Sequence, residues 1–368
     1  MPSTVDTVIV GAGQSGLAVS ALLSARGRDH VVLDRGGAAH RWREERWDSL
    51  RLLTPNWLTR LPGWSYDGPD LDGYMTARDV AAWLQRYAAS SRRRSSRRKW
   101  KRSLPAGGVL VVVASATGVQ LADEMLQDGR RVVIAVGSHS RLPRTYRGMD
   151  IFWWLDRLGA LFRTIGDRAP GRSRREPSLQ LIGVARSAVD LLALRRRGAR
   201  LVGRMRRIDG DVAYFDDHLP ERTAAADAVM TRILDAADAH VAADPLLLDL
   251  RELTVQSDQS RPDGFIAEPG PAQLSLGRHG ITSVLFATGL RPDYDWLRVP
   301  VVDAHGYIEQ WRGTTRAPGL HVVGQPFQHR RDSTYIDGAR WNAQDVVASL
   351  TRQGATAMPR RQRSASCS

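Results

Sequence analysis

Val5-Asp6-Thr7-Val8-Ile9-Val10 is a short apolar run that ends on glycine, the pattern of a strand buried in a parallel sheet. Beyond it, Leu17, Ala18, Ala21, Leu22 and Ala25 recur at helical spacing between Gln14 and Arg26, and Gly27 closes that helix. Val31-Val32-Leu33 supplies the next strand. Strand, turn, helix and strand within about thirty residues match the size of a βαβ crossover.

Residues 40–75 read as loop, with Trp42, Trp47, Trp57 and Trp64 set among Arg, Pro and Gly, and a helix follows over 76–89. A second βαβ unit then opens. Its strand is 109–113, its helix 118–127 carries Val119, Ala122, Met125 and Leu126 on one face, and its partner strand is 131–136. A helical pattern covers 151–165, a strand 179–183 and a helix 187–197. Residues 200–275 mix short strands with one Ala/Asp-rich helix. Strands at 284–289 and 321–324 and a helix at 337–350 close the pattern. The expectation is a doubly wound α/β protein with parallel sheets in two Rossmann-like dinucleotide-binding domains. The first domain takes 1–90 with 276–352, a linker takes 91–103, the second domain 104–275, and a disordered tail 353–368.

Composition narrows the class. The chain has 368 residues, 42% hydrophobic and 25% charged, the balance of a soluble globular protein of two ordinary domains. No apolar run approaches the roughly eighteen residues of a membrane span, and the first residues lack the basic and cleavage regions of a signal peptide. The single cysteine, Cys367, excludes an internal disulfide and a cysteine metal cage, which suits a cytoplasmic location. The net charge of +14 owes much to residues 92–102, with eight Arg or Lys, and to Arg360-Arg361-Gln362-Arg363. Lysine occurs only at Lys99 and Lys101, so the excess reads as solvated charge and arginine bias, and no specific nucleic-acid partner is expected.

The chemistry is carried by Gly11-Ala12-Gly13-Gln14-Ser15-Gly16. Gly11 lets the chain turn sharply from strand to helix, Gly13 leaves backbone N–H groups open to a pyrophosphate, and Gly16 lets helix and strand approach closely. The phosphates then meet the orphan N–H donors of a helix N-terminus. Asp34 follows Gly16 by eighteen residues, at the end of the second strand, where a carboxylate accepts both ribose hydroxyls of an adenosine. His139, His321 and His329 are not spaced as metal ligands, and no catalytic side chain is nominated.

With the first motif, several other segments form a set: Trp42, Trp47-Asp48-Ser49-Leu50-Arg51-Leu52 with Thr54-Pro55, and Leu61-Pro62-Gly63. Val119-Gln120-Leu121-Ala122-Asp123-Glu124, Arg141-Leu142-Pro143-Arg144, Ala287-Thr288-Gly289, Gly324 and Ile336-Asp337-Gly338-Ala339 complete it. On these residues the chain resembles the class B flavin-containing monooxygenase-like flavoproteins, a group with bacterial members linked to potassium transport. The resemblance implies that Gly11, Gly13, Gln14, Ser15, Gly16 and Asp34 hold the ADP half of FAD. Trp42 would lie along the flavin side, with Gly324, Asp337 and Gly338 toward the ribityl chain and ring. It further implies NADPH in the second fold, with Ser115 and Gly118 by its pyrophosphate and Arg141, with Arg144 or His139, at its 2′-phosphate. The implied activity is hydride transfer from NADPH to FAD, oxygen activation as a flavin C4a-hydroperoxide and oxygenation of a small organic substrate. A homodimer is compatible with it.

Two departures from that pattern touch the same step. Val113 stands where the second motif has its first glycine, and a β-branched residue resists a strained turn. Only 102 residues separate Gly11 from Val113, and the strands, first Ala-Thr-Gly crossing and Phe/Gly/His fingerprint that the family carries there are absent. The expectation is therefore an internal deletion bridged by the basic run, with a flavoprotein that binds FAD without NADPH-driven turnover as the alternative.

Overall fold

β1 (Thr7–Val10) and β2 (His30–Leu33) run parallel, in register from Thr7 against His30 to Val10 against Leu33, and α1 (Gln14–Ser24) crosses between them. This computed structural model describes residues 5–47, 49–90, 104–112, 116–164, 178–182, 190–244, 261–289 and 292–356. The basic linker, Val113, Ser115, Cys367 and the end of the tail lie outside the described residues.

The stretch expected as loop holds more structure than its composition suggested. It contains α2 (His40–Glu44), a 3-10 turn at Asn56–Leu58 and a short hairpin of β3 (Arg60–Leu61) and β4 (Trp64–Ser65). α3 (Ala77–Ser90) follows, with Val80, Ala81, Trp83, Leu84 and Tyr87 buried at helical spacing. The Trp83 indole donates to the Ser65 carbonyl and the Tyr87 phenol to the Pro62 carbonyl, which ties the hairpin to the helix.

The second unit is built on β5 (Gly108–Val112), α4 (Ala116–Gln127) and β6 (Val132–Ala135). Both strands are buried at every position, as a strand covered on both faces must be. β7 (His139–Pro143), the small hairpin of β8 (Thr145–Tyr146) and β9 (Met149–Asp150), and α5 (Ile151–Arg157) come next. Then come β10 (Ser178–Ile182), α6 (Leu191–Arg196), β11 (Arg200–Val202), β12 (Met205–Asp209) and β13 (Val212–Phe215). α7 (Leu219–Ala243), β14 (Gln273–Ser275) and β15 (Ile281–Phe286) complete the unit.

The main sheet is parallel in the order β11-β6-β5-β15, with the first two crossovers stepping one way from β5 and the last strand returning on its other side. That is the doubly wound arrangement. β12, β13 and β14 form an antiparallel layer, and β7 pairs with β10 apart from the main sheet. α8 (Ile336–Thr356) closes the fold against α1, with Ala339, Ala343, Val346 and Val347 meeting Leu17, Ala18 and Leu23 in one core.

Four expectations are corrected. Residues 281–286 were placed with the first domain, but β15 pairs with β5, so the chain returns to the first unit only beyond Ala287-Thr288-Gly289. The helix expected over 151–165 stops at Arg157, because Gly159 takes a left-handed φ of +68° and turns the chain back. The strand at 321–324 is reduced to one bridge between His321 and Thr314. The closing helix runs on to Thr356, into the stretch read as tail.

Among the described residues the first sheet has only β1 and β2. In this register Val8 and Val10 share a face with Val31 and Leu33, and Val8, Val10 and Leu33 are 52%, 63% and 52% exposed. Ile9, on the other face, is buried in the core.

Candidate functional site

The glycine turn is assembled from both ends. Gly11 takes φ +106°, a left-side conformation that favours glycine, and its N–H donates to the Leu33 carbonyl at 2.7 Å. The Ala12 N–H donates to Asp34 Oδ2 at 2.8 Å, while Asp34 Oδ1 accepts from Gly36 N–H at 2.9 Å. Asp34 therefore stands beside the turn at the end of β2, its carboxylate also braced by the backbone. Gly13 caps α1, and the first helical bond runs from Leu17 N–H to the Gly13 carbonyl at 3.0 Å.

The three glycines differ in their surroundings. A β-carbon on Gly16 would stand 2.0 Å from the Gly11 carbonyl oxygen, so this position admits no side chain. A β-carbon on Gly13 would meet nothing within 4 Å, which leaves space at the helix N-terminus. The arrangement fits a pyrophosphate: open space, orphan N–H donors and the positive end of a helix dipole coincide.

Trp42, carried on α2, donates from Nε1 to Gln14 Oε1 at 3.2 Å, so its indole lies by the start of α1. Gly324, with φ +91°, comes in from the far end of the sequence. A β-carbon there would meet Ser15 Oγ at 2.8 Å. Gln328 holds this approach, accepting the Gly324 N–H on Oε1 at 2.8 Å. At the N-terminus of α8, Gly338 packs so tightly that a β-carbon would stand 1.9 Å from the Asp332 carbonyl oxygen. Asp337 is buried there, its Oδ1 accepting from Arg60 Nε at 2.7 Å and from Arg340 Nε at 2.9 Å. Burial raises the Asp332 carboxyl above its ordinary value, against the pull of Arg330.

Gly11, Gly13, Gln14, Ser15, Gly16, Asp34, Trp42 and Gly324 are thus brought to one place, while Asp337 and Gly338, at the start of α8, meet Arg60, Arg340 and Asp332. Sequence reasoning missed Arg60 and Gln328. Arg60 meets a partner 277 positions away, and no local pattern marks such a pair.

The second fold differs from expectation. Gly118 is buried in the first turn of α4, and Ser115 lies outside the described residues. Arg141 was expected at a 2′-phosphate but turns inward and is 2% exposed. Its NH2 lies 2.9 Å from Asp190 Oδ2, its NH1 2.5 Å from Asp227 Oδ1, and NH1 also donates to the Asp263 carbonyl at 3.2 Å. The cause is β7: residues 139–143 pair with β10 under α7, and this buries side chains that a loop would have exposed. His139, in the same strand, and Arg144, just past it, are buried as well. Burial pushes the His139 imidazole below its usual range.

No family model matches the chain. A CzcO-like oxidoreductase from Geobacillus kaustophilus is 25% identical, over 95% of this chain and 99% of that protein. The aligned length is 415 for a chain of 368 residues, so at least 47 positions of that relative have no counterpart here. The rice indole-3-pyruvate monooxygenase YUCCA8 (Oryza sativa) is 42% identical, over 22% of this chain and 20% of that protein. Among solved structures, a flavin-containing monooxygenase from Stenotrophomonas maltophilia superposes with a TM-score of 0.56 at 16% identity, covering 95% of this chain and 99% of that one. Over nearly its whole length the chain is thus similar to a CzcO-like oxidoreductase, and its fold is that of a flavin-containing monooxygenase.

Proposed function

We propose that this chain is an FAD-dependent, NADPH-using oxidoreductase of monooxygenase type that acts on a small organic substrate with O₂. The observation that carries the reading is the convergence of the Gly11–Gly16 turn, Asp34, Trp42 and Gly324 at one helix N-terminus. Gly13, Gln14 and Ser15 would bind the pyrophosphate through backbone N–H groups, and Asp34 the adenosine ribose. Trp42 would line the flavin side, while Asp337 and Gly338 would meet the ribityl and ring end. Ser115 and Gly118 would serve the nicotinamide dinucleotide. Bound flavin supplies the two-electron chemistry and the activation of O₂; the chain orients the partners and excludes water.

A second reading, a flavoprotein that binds FAD without NADPH-driven turnover and serves a regulatory or non-catalytic role, has its own support. In the sequence, Val113 occupies the position of the second motif's first glycine, and among the described residues the apolar face of β1 and β2 is open.

The test is the visible spectrum of the purified protein before and after anaerobic NADPH. Flavin bands that bleach are the result expected of the oxidoreductase. Bands that persist would support the second reading. A colourless protein that takes up no added FAD would refute both.

A further inference from the structure

We infer that Arg144 is a positioning residue that locks the second dinucleotide unit onto the first through Tyr74 and Leu53. Arg144 lies just past β7, and its side chain is 3% exposed. Its Nε donates to the Tyr74 phenol at 2.6 Å and its NH1 to the Leu53 carbonyl at 2.6 Å, both in the first unit. Its NH2 lies 2.9 Å from Asp150 Oδ2, in its own unit. The guanidinium also stacks on Tyr74, 3.6 Å from the ring centre.

The contacts close on themselves. The Tyr74 hydroxyl donates to Asp150 Oδ2 at 2.8 Å, and Asp150 Oδ1 accepts from Phe152 N–H at 2.8 Å and so caps α5. One cation, one phenol and one carboxylate thus join a first-unit loop to the start of a second-unit helix. The same loop crosses again at α4, the helix of the second motif: Ser49 donates to Glu124, and Gln120 Nε2 donates to the Arg51 carbonyl at 3.4 Å. Leu53, Trp57 and Leu58 meanwhile pack into the core of Leu142, Phe152 and Trp154.

Charge is an expensive way to hold two surfaces together. Burial lowers the affinity of Arg144 for its proton and raises the Tyr74 and Asp150 pKa values, so each group is desolvated at a cost. Apolar side chains of similar volume would stabilise the contact as well or better, but without fixing direction. A planar guanidinium with three partners and a stacked ring fixes position and angle together. Under the flavoprotein reading, on which the functional consequence rests, that angle sets the approach of nicotinamide to flavin. A misplacement of about 1 Å there costs on the order of 10²-fold in rate.

The experiment uses the full chain and two variants, Arg144→Lys and Tyr74→Phe; the second removes one hydroxyl and keeps the ring. In the flavin-loaded protein, Arg144→Lys is expected to lower the limiting rate of anaerobic flavin reduction by about tenfold or more. Half-saturation by NADPH and flavin content should stay at wild-type values, with Tyr74→Phe intermediate. An unchanged limiting rate would overturn the inference. So would a parallel fall in rate, flavin content and melting temperature, the mark of a merely structural role. Hydrogen exchange of residues 49–58 and 144–157 reads the lock without flavin. Faster exchange confined to both segments in either variant supports the inference, even in a colourless protein. Wild-type exchange in both variants refutes it while leaving the flavoprotein reading untouched.

Discussion

Gly16 lies against the carbonyl of Gly11 so closely that a β-carbon would stand 2.0 Å from that oxygen, whereas Gly13 between them has no neighbour within 4 Å of the same point. The contrast separates folding from binding within a single motif. Gly13 has φ −80° and ψ −179°, extended backbone that valine adopts readily. Gly13→Val is expected to fold, with stability changed by less than about 1 kcal/mol, and to carry no flavin. Gly16→Ala should destabilise by about 3 kcal/mol through overpacking against backbone. Denaturant midpoints and flavin content together check this; normal flavin in Gly13→Val would defeat the cofactor assignment.

Arg141 answers a different question. With Asp190 and Asp227 both on its guanidinium inside the second unit, Arg141→Met leaves one buried and one partly buried carboxylate without their cation. A loss of about 3–5 kcal/mol is expected. NADPH half-saturation should not rise in whatever folded protein remains. A variant of wild-type stability whose half-saturation by NADPH rises tenfold would return Arg141 to the 2′-phosphate.

The contrast between Gly16 and Arg141 marks what could be read in the sequence. Gly16 was legible because its constraint is local: strand, turn and helix share about thirty residues, and the glycine spacing reports the crossing of α1 over β1. The parallel order of β5 and β6 was legible for the same reason. Arg141 was not, because its burial depends on β10, on α7 and on Asp227, 86 positions away. Nothing in Ser140-Arg141-Leu142-Pro143 distinguishes a covered strand from a basic loop. The hairpin of β3 and β4 was hidden likewise, since it is anchored on α3 by hydrogen bonds from Trp83 and Tyr87 and by the Trp64 ring against Tyr87 rather than by an alternating strand pattern.

Asp216 gives a pH dependence with a definite sign. It follows β13, accepts both Arg222 NH groups at 2.6 Å and the Arg204 N–H at 3.0 Å, and so fastens the start of α7 to the antiparallel layer. The Arg222 hydrogen bonds, helped by that of Arg204 and opposed by burial, hold its carboxyl down from 3.8 to about 2. A folded-state value below the unfolded one means that the contribution is complete above pH about 4 and is lost as pH falls through about 2. Asp216→Asn should be less stable than wild type at neutral pH and should converge on it between about pH 4 and 2. Urea midpoints across that window check it, and parallel curves would count against the assignment.

The open face of the first sheet makes the last prediction. Val8 and Val10 point away from the core that holds Ile9, and in register with Val31 and Leu33 they form an apolar strip with more than half of three side chains exposed. Water-exposed valine contributes little to folding, whereas an apolar strip of this kind attracts dyes and other chains. Replacing both residues, Val8→Thr with Val10→Thr, keeps the β-branched shape that strands favour and removes two methyl groups from the strip. The double variant is expected to bind less of a hydrophobic dye such as ANS and to change stability by less than about 1 kcal/mol. A loss of several kcal/mol would mean that the strip is covered in solution by another part of the molecule. The alternative of a flavoprotein left with an uncovered first unit would then lose its structural support.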